Sequence, residues 1–331
     1  MSAPHTDRTL PERSVLDAVT VSEELFTDTD PRICYQTFGD PSGRPLLLVM
    51  GLSGPMTWWP EDMCRHLAVE GFYVIRYDNR DTGRSDRVDH ARLGRTHLVR
   101  AFFKAPVAAA YSLVDMADDG FAVLDTLGVE QAHVAGVSMG GMIGQTMALE
   151  HPERVISLTS IMSTTGSRRV GWQDPKLLPQ LLARSERNRE AYVESSARYW
   201  RMIASPDWAD DVEVQRERAR ETWDRGISLS GVLRQMMAIL TAPDRTKRLG
   251  DVDVPVTIVH GTADRMVHVS GGKATAKAIR GAELLLVPGM GHDMPRALIP
   301  TFVEAISRSV ARAQEKGREQ TPDGRRETAA P

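Results

Sequence analysis

The chain has 331 residues, with 41 Lys plus Arg against 44 Asp plus Glu and a formal net charge of −3. Its composition, 41% hydrophobic and 26% charged, excludes wholesale disorder, and a chain of this length can bury a large core. The slightly acidic balance provides no basic field to hold a polyanion, so we expect no nucleic-acid partner.

Cysteine content and the N-terminal sequence indicate a reduced compartment. Cys34 and Cys64 are the two cysteines of the sequence, too few for a disulfide framework or a four-cysteine zinc site. The first residues lack the basic-then-apolar order of a secretion signal. No apolar run approaches the roughly 18–20 residues that a bilayer requires. We therefore expect a cytoplasmic protein without a membrane span.

Short apolar runs alternate with helical patterns along most of the chain, which is typical of an α/β fold with a mostly parallel sheet flanked by helices. An antiparallel pair is expected at residues 18–26 and 32–38. Buried strands are predicted over residues 46–50, 72–77, 133–137, 155–161, 256–260 and 284–287. Apolar periodicity predicts helices over 113–127, ending at Gly128, and over 139–149.

This alternation stops between residues 163 and 251, where helical patterns are interrupted by prolines and no convincing strand occurs. We interpret 163–251 as a helical cap, inserted into a core formed by residues 18–162 and 252–311. Residues 1–17 are expected to form a flexible N-terminus. Large apolar residues disappear from about residue 312, so 312–331 is expected to be a disordered tail.

The residues from Gly136 to Gly140 form a G-x-S-x-G pattern around Ser138, between a predicted strand and a predicted helix. Small neighbours allow a nucleophile to stand on a sharp strand-to-helix turn. The following helix directs its free N–H groups and positive dipole end at a developing oxyanion. An ordinary glycine-rich turn is the alternative, but the context favours a nucleophilic serine.

A serine nucleophile needs a base, and the base needs an orienting acid; in this type of fold they follow in the order serine, acid, histidine. Asp264 and His292 each follow one of the last two predicted strands. Among the nine histidines of the sequence, His268 is the main rival, but it lacks the strand–Gly–His setting of His292. We therefore predict a catalytic triad of Ser138, Asp264 and His292.

An oxyanion hole needs a second backbone donor from the loop after the strand at 46–50. Gly51 permits the turn there, and the N–H of Leu52 is the predicted donor, paired with the N–H of Met139. Trp58 and Trp59 follow, either lining a substrate pocket or packing against the core. The same two uses stay open for the cap residues Trp172, Trp200, Trp208, Trp223, Met202, Met236 and Met237.

The polar stretch over residues 76–85 contains too little glycine for a phosphate cradle. We interpret it as a turn that braces the oxyanion loop through Asp78, Arg80 and Ser85. No His, Cys and Asp cluster has metal-ligand spacing, and no G-x-G-x-x-G follows the first strand. Neither a metal nor a cofactor is therefore predicted.

Together these motifs resemble the α/β-hydrolase family over roughly residues 18–310. The turn from Asp78 to Ser85 is similar to the family pattern D-x-R-G-x-G-x-S, although Asp81 replaces the usual Gly. Met50 likewise stands where the family commonly has His. The sequence most resembles the subgroup of aclacinomycin methylesterase and actinobacterial carboxylesterases, while the elbow is equally similar to 3-oxoadipate enol-lactonases.

The resemblance implies an α/β-hydrolase fold, a triad and an inserted helical cap. It weighs against haloalkane dehalogenases and epoxide hydrolases, whose nucleophile is Asp, because Ser138 occupies that position. We therefore predict a serine hydrolase that cleaves a small-molecule carboxylic ester through an acyl-enzyme. A lactonase or a C–C bond hydrolase is the alternative. A binding protein on the same fold is disfavoured because no triad member is missing.

Overall fold

The computed structural model describes residues 11–88, 94–102, 107–177 and 188–320. Its strands are β1 (Leu25–Phe26), β2 (Cys34–Phe38), β3 (Arg44–Val49), β4 (Phe72–Tyr77), β5 (Ala132–Val137), β6 (Val155–Ile161), β7 (Val256–Gly261) and β8 (Glu283–Val287). They form one sheet in the order β1-β2-β4-β3-β5-β6-β7-β8. The pairs β1–β2 and β2–β4 are antiparallel, and the remaining neighbours are parallel. The predicted α/β fold is confirmed.

The α-helices of the described residues are α1 (Arg13–Asp17), α2 (Glu61–Val69), α3 (Arg95–Phe102), α4 (Leu113–Thr126), α5 (Met139–Glu150), α6 (Arg189–Ile203), α7 (Val212–Arg225), α8 (Leu229–Thr241), α9 (Ser270–Ala278) and α10 (Ile299–Gln320). Short 3₁₀ turns cover Met56–Trp58, Pro152–Arg154, Pro175–Leu177, Arg248–Asp251 and Arg296–Leu298. Gly128 follows α4 with φ +67°, as its predicted role in ending the helix requires.

All six predicted strands are present, with ends shifted by at most two residues. The prediction that the strand at 284–287 is buried is wrong: β8 is the edge strand of the sheet, and Leu284 is exposed there. The antiparallel pair at the start of the sheet is shorter than predicted. β1 has two residues, Leu25 and Phe26, and both are exposed at the sheet edge. An isolated bridge between Val21 and Phe38 precedes it. Little apolar surface is buried at this edge, so nothing stabilises a longer strand.

Side chains along β3 alternate between two core layers. Leu47 and Val49 pack with residues of α4 and α5, whereas Leu46 and Leu48 pack with residues of α2 and α10. All four are completely buried. Helices therefore cover both faces of the sheet, which explains why its central strands are almost continuously apolar.

Between β6 and β7 the described residues form α6, α7 and α8 with 3₁₀ turns and no strand, as predicted for 163–251. Two ion pairs attach this segment to the turn after β4. Arg225 lies 2.7 Å from Asp78, and Arg234 lies 2.5 Å from Asp81; all four side chains are buried. The division of the chain into a core and a functional cap stays a prediction.

The two ends of the described chain contain more helix than predicted. α1 lies within residues 1–17, where a flexible N-terminus was expected, and buries Leu16. α10 continues to Gln320, past the expected start of the tail at residue 312. Arg312 donates to Val256 O (3.1 Å), and Lys316 pairs with Asp253 (2.8 Å). These polar contacts stabilise the helix end without large apolar residues. Residues 1–10 and 321–331 lie outside the described residues.

Candidate active site

Ser138 occupies the turn between β5 and α5 with φ +57° and ψ −117°. This is a backbone conformation that residues with side chains rarely adopt, and it occurs where the surrounding structure enforces it. A Cβ on Gly136 would lie 2.2 Å from Gly140 O, and one on Gly140 would lie 2.0 Å from Val49 O. Both glycines are therefore required by close backbone approach, and Ser138 remains partly exposed.

His292 lies between Ser138 and Asp264. Its Nε2 is 3.0 Å from Ser138 Oγ, and its Nδ1 is 2.8 Å from Asp264 Oδ2. Asp264 Oδ1 accepts the backbone N–H groups of Met266 (2.9 Å) and Val267 (2.8 Å). The structure thus joins the three residues of the predicted triad in one hydrogen-bonded chain.

Asp264 is buried, and opposing effects act on its pKa. Burial alone would raise it, but the charge of His292 and hydrogen bonds from His260 and His292 lower the pKa to about 2. The carboxylate is therefore ionised at neutral pH. An ionised Asp264 favours a proton on His292 Nδ1, which leaves Nε2 able to accept the proton of the serine hydroxyl.

Two other histidines near this loop have different partners. His260 Nε2 lies 2.8 Å from Val267 O and 3.4 Å from Asp264 Oδ2, so it supports the loop that carries the acid. His268, the rival base considered from the sequence, has its Nδ1 2.9 Å from Ser270 Oγ. Its ring stacks on Trp172 with centroids 4.1 Å apart. Of these three histidines, His292 is therefore the one that contacts Ser138.

The loop after β3 lies against the nucleophile. A Cβ built on Gly51 would lie 3.2 Å from Ser138 Cβ, so a side chain at Gly51 would crowd the serine. Leu52 follows Gly51 and is partly exposed. Met139 is the first residue of α5, and the N–H groups of a helix's first turn have no intrahelical acceptor. The predicted oxyanion donors thus directly follow Gly51 and Ser138.

Side chains of the turn over residues 78–85 brace the loop after β3. Asp78 Oδ1 accepts the N–H of Met56 at 2.7 Å, a contact consistent with the predicted bracing. Asn79 Nδ2 donates to Met50 O at 2.9 Å. Nothing in the sequence singled out Asn79, since asparagine is common in polar turns. The two contacts hold the loop at both ends.

The other two residues of the predicted brace act elsewhere. Ser85 Oγ donates to Asp78 O at 2.6 Å and accepts the N–H of Cys34 at 2.8 Å, so it supports the turn itself. Arg80 forms a two-pronged ion pair with Asp119 of α4, at 2.6 and 2.7 Å. The prediction that Arg80 braces the oxyanion loop through its side chain is therefore wrong, because its guanidinium group binds the Asp119 carboxylate on α4 instead.

Trp58 and Trp59 have different environments. Trp59 is completely buried in the core with Met63, so of the two uses left open by the sequence the structure shows packing against the core; Trp59 exposes no surface that could line a substrate pocket. The Trp58 ring meets Trp200 of α6 edge to face, with centroids 4.9 Å apart. Its Nε1 donates to Thr222 Oγ1 of α7 at 2.9 Å. Trp58 therefore joins the loop after β3 to the helices of 163–251.

The other aromatic and methionine residues of that segment include several with structural contacts. Met237 is completely buried, and Trp208 Nε1 donates to Pro288 O at 2.9 Å. Trp223 packs against Tyr192, with ring centroids 5.4 Å apart. Trp172 is 51% exposed. Packing within the helical segment and contacts with the rest of the fold therefore account for part of this set.

The last residue of α6 and the residues after it hold the loop that carries His292. The His292 N–H donates to Ile203 O at 2.7 Å, and the Gly291 N–H donates to Ser205 Oγ at 2.9 Å. Buried Asp293 accepts the Ser205 N–H at 2.9 Å and the Ser205 hydroxyl. Burial raises the pKa of Asp293, against the lowering effect of these hydrogen bonds. No local pattern predicts a contact between residues 88 positions apart.

Two cavities border the helices of this segment. One of about 130 Å³ lies between the oxyanion loop and α6–α8, and its lining includes Ser53, Pro55, Tyr192, Leu229 and Val232. The other, of about 380 Å³, lies between the end of α6 and the loop after β7. Neither cavity includes Ser138 or His292 in its described lining. The smaller cavity is thus the one adjacent to the oxyanion loop.

Among the described residues, no group of three or more His, Cys, Asp or Glu side chains is arranged to hold a metal ion. Cys34 and Cys64 are free and buried. Burial raises the pKa of Cys64 to about 11 and that of Cys34 to about 12, so neither thiol is poised as a nucleophile. No helix in the described ranges is both long and apolar enough to cross a membrane.

A family model for the alpha/beta hydrolase fold matches residues 44–295, which is more than half of the chain. The chain belongs to this family. This chain is 27% identical to rhodomycin D methylesterase of Streptomyces peucetius over 303 residues. The match covers 85% of this chain and 96% of that protein. The resemblance to a methylesterase subgroup is therefore confirmed.

Solved structures with the same fold include proteins described as an enol-lactonase and as an esterase. An enol-lactonase from Burkholderia xenovorans matches this α/β-hydrolase with a TM-score of 0.64 at 20% identity, over 87% of this chain and 100% of that one. An esterase from a Rhodococcus species matches with a TM-score of 0.63 at 21% identity, over 88% of this chain and 98% of that one. At these identities the likeness is one of fold.

Proposed function

We propose that the protein hydrolyses a carboxylic ester with Ser138 as its nucleophile. The observation that carries this proposal is the chain from Ser138 Oγ through His292 to Asp264, with distances of 3.0 and 2.8 Å. A serine hydroxyl becomes an effective nucleophile when an oriented base accepts its proton during attack. Membership of the family and the methylesterase relative support an ester as the substrate class.

In the acylation step, Ser138 Oγ forms a bond to the ester carbonyl carbon while its proton moves to His292 Nε2. Asp264 orients the imidazole and stabilises the imidazolium that results. The carbonyl oxygen becomes an oxyanion, which accepts hydrogen bonds from the N–H groups of Leu52 and Met139. Donors of this kind are each worth about 3–4 kcal/mol in related sites.

The tetrahedral intermediate then collapses. The bond from carbon to the alcohol oxygen breaks, and His292 gives its proton to the leaving alcohol, which leaves an acyl group on Ser138. In the second half, His292 accepts a proton from water, and the hydroxide formed attacks the acyl carbon. Release of the carboxylic acid returns the proton to Ser138. No cofactor takes part in either step.

We propose that residues 163–251 act as a cap that selects the substrate. The cavity of about 130 Å³ beside Ser53 is lined by helices of this segment and borders the oxyanion loop. Its wall combines apolar side chains, among them Tyr192, Leu229 and Val232, with polar ones that include Asp81, Thr222 and Ser228. Because the relative is a methylesterase, methyl esters belong in the first substrate panel.

The experiment combines a p-nitrophenyl ester series with a serine-directed fluorophosphonate. Wild-type protein is expected to hydrolyse esters and to be labelled at Ser138, whereas Ser138→Ala is expected to do neither. Ser14→Ala, at an exposed serine of α1, is the matched control and should behave as wild type. Intact-protein mass spectrometry counts labels, and peptide mapping locates the site.

Two outcomes would contradict the proposal at different levels. If wild-type protein neither turns over esters nor is labelled at Ser138, the nucleophilic role is wrong. If Ser138 is labelled but esters are ignored while a lactone is opened or a C–C bond is cleaved, the nucleophile stands and the ester class is wrong. The panel must therefore include both kinds of substrate.

A further inference from the structure

The peptide between Gly51 and Leu52 carries the predicted oxyanion N–H, and its plane is fixed from several sides. The Gly54 N–H donates to Gly51 O at 3.2 Å, so the carbonyl of this peptide points at Gly54. In a trans peptide, the C=O and N–H bonds point in opposite directions. The contact therefore directs the Leu52 N–H away from Gly54, and the orientation of the donor depends on this turn.

The turn itself has an unfavourable residue at its third position. Ser53 has φ +57°, a conformation that a turn of this kind normally assigns to Gly or Asn. Such a residue needs surrounding contacts to hold it. On the side before the donor, Asn79 fixes the Met50 carbonyl at 2.9 Å. On the side after it, the Ser53 N–H donates to Gln235 Oε1 at 2.8 Å.

Gln235 lies on α8, 182 positions along the chain from Ser53, and its side chain is completely buried. Its Nε2 donates to Arg80 O and Thr82 Oγ1, both at 2.8 Å. These three hydrogen bonds lead to the oxyanion loop and to the turn after β4. The side-chain amide thus spans the gap between two core loops from a helix of the segment 163–251.

The same face of α8 is fixed to the core at neighbouring positions. A Cβ on Gly231 would lie 2.6 Å from Asp81 O, so the helix backbone touches the turn there. One turn later, Arg234 forms the buried ion pair with Asp81. Gly231, Arg234 and Gln235 are spaced as residues on one helix face. Gln235 therefore projects from a rigidly docked surface.

We propose that Gln235 is a positioning residue for the oxyanion hole, so that docking of α8 completes the catalytic site as well as covering it. This inference rests on the proposed function. Without the Gln235 acceptor, the Ser53 N–H loses its partner and the strained turn relaxes, which turns the Leu52 N–H out of line. Loss of one oxyanion donor lowers kcat by about 10²–10³ in a serine protease of unrelated fold, and partial misalignment should lower it by about 10–100-fold.

The test substitution is Gln235→Met, which keeps the length of the side chain and removes its polar atoms. We expect kcat to fall about 10–100-fold with KM changed less than threefold, because the lost interaction belongs to the transition state. Gln215→Met is the matched control: Gln215 is also a buried cap-segment glutamine, on α7. It should retain wild-type kinetics.

Two ketone inhibitors separate positioning from a general structural role. A trifluoromethyl ketone forms a tetrahedral adduct on Ser138 whose oxyanion requires the hole, whereas the matching methyl ketone binds largely without one. In Gln235→Met, the Ki of the trifluoromethyl ketone should rise by the same factor by which kcat/KM falls. The Ki of the methyl ketone should stay within threefold of the wild-type value.

Gln235→Glu is the rescue variant, because burial favours its neutral acid, which retains an acceptor for Ser53 and one donor. It should recover most of the kcat lost in Gln235→Met. If the Met variant does not fold, Gln235→Asn serves instead, since the shorter amide withdraws the acceptor from Ser53 and should give the same kinetic pattern.

The outcomes distinguish this inference from the proposed function. If wild-type Ser138 reacts with fluorophosphonate but folded Gln235→Met or Gln235→Asn keeps wild-type kcat and trifluoromethyl ketone affinity, the positioning role alone is overturned. An equal rise in Ki for both ketones would overturn it as well, since it would indicate a general disturbance of the site. If wild-type Ser138 is unreactive, both proposals are overturned.

Discussion

Replacing Asp264 with asparagine tests the proposed triad through the proton position on His292. Asp264 Oδ1 accepts two backbone N–H groups, from Met266 at 2.9 Å and Val267 at 2.8 Å, while Oδ2 faces His292 Nδ1 at 2.8 Å. In the asparagine variant the amide oxygen must stay on the two N–H groups, because the opposite orientation would leave three donors facing each other. The NH₂ group then faces Nδ1.

An NH₂ group at Nδ1 forces the histidine proton onto Nε2, which faces Ser138 Oγ at 3.0 Å. The imidazole can then no longer accept the serine proton. In a serine protease triad this substitution lowers kcat by about 10⁴, which corresponds to about 5 kcal/mol of transition-state stabilisation. We expect a loss of the same size here, with KM nearly unchanged.

The assay is steady-state hydrolysis of a p-nitrophenyl ester, with Ser138→Ala defining the background and circular dichroism verifying the fold. Asp253→Asn is the matched control, because it makes the same change at a carboxylate that pairs with Lys316 at the protein surface. A folded Asp264→Asn variant that keeps more than a tenth of wild-type kcat would refute the proposed role of the acid.

Three further predictions concern charge and pH. Arg234→Met leaves the buried Asp81 carboxylate without its ion pair and should cost about 3–5 kcal/mol in urea unfolding; a loss under 1 kcal/mol would show that Tyr111, which also donates to Asp81, suffices. Burial lowers the pKa of His133 from 6.5 to about 4, so the neutral histidine contributes stability that is fully present above pH 6.5 and lost as the pH falls to about 4. Tm should therefore depend less on pH over that window in His133→Asn than in wild type, and parallel curves would contradict this assignment. Protonation of Asp264 should not limit ester hydrolysis in mildly acidic solution, because, although burial raises the pKa of this carboxyl, the charge of His292 and hydrogen bonds from His260 and His292 lower it to about 2; a pKa of Asp264 near the ordinary 3.8 in an NMR titration would contradict this assignment.

Local patterns were sufficient for the parallel strands of the sheet and for the hydrogen-bonded residues Ser138, His292 and Asp264. Buried parallel strands are apolar on both faces, so their runs stand out in the sequence. The elbow needs small residues at fixed offsets from Ser138, because backbone atoms approach within contact distance there. The loops bearing Asp264 and His292 follow directly from the strands before them. Each feature is determined by residues adjacent in the sequence.

The sequence was less informative where one residue type has several possible environments. Trp58 and Trp59 are adjacent, yet one contacts α6 and α7 and the other is buried in the core. Arg80 lies in the polar turn beside Asp78, but the carboxylate that it meets is Asp119 on α4. The helix continuing through residue 312 depends on hydrogen bonds to distant carbonyl groups. These outcomes depend on tertiary partners.

The contacts that position the proposed catalytic groups also depend on tertiary partners, and both come from the same segment of the chain. Ser205 reaches the loop of His292, and Gln235 reaches the loop of Leu52; both residues come from the segment 163–251. The base and one oxyanion donor are thus each held from outside the sheet, on separate loops. A change that loosens α8 should therefore weaken transition-state binding while leaving the Ser138–His292 contact intact, whereas loosening the segment after α6 should disturb proton transfer first.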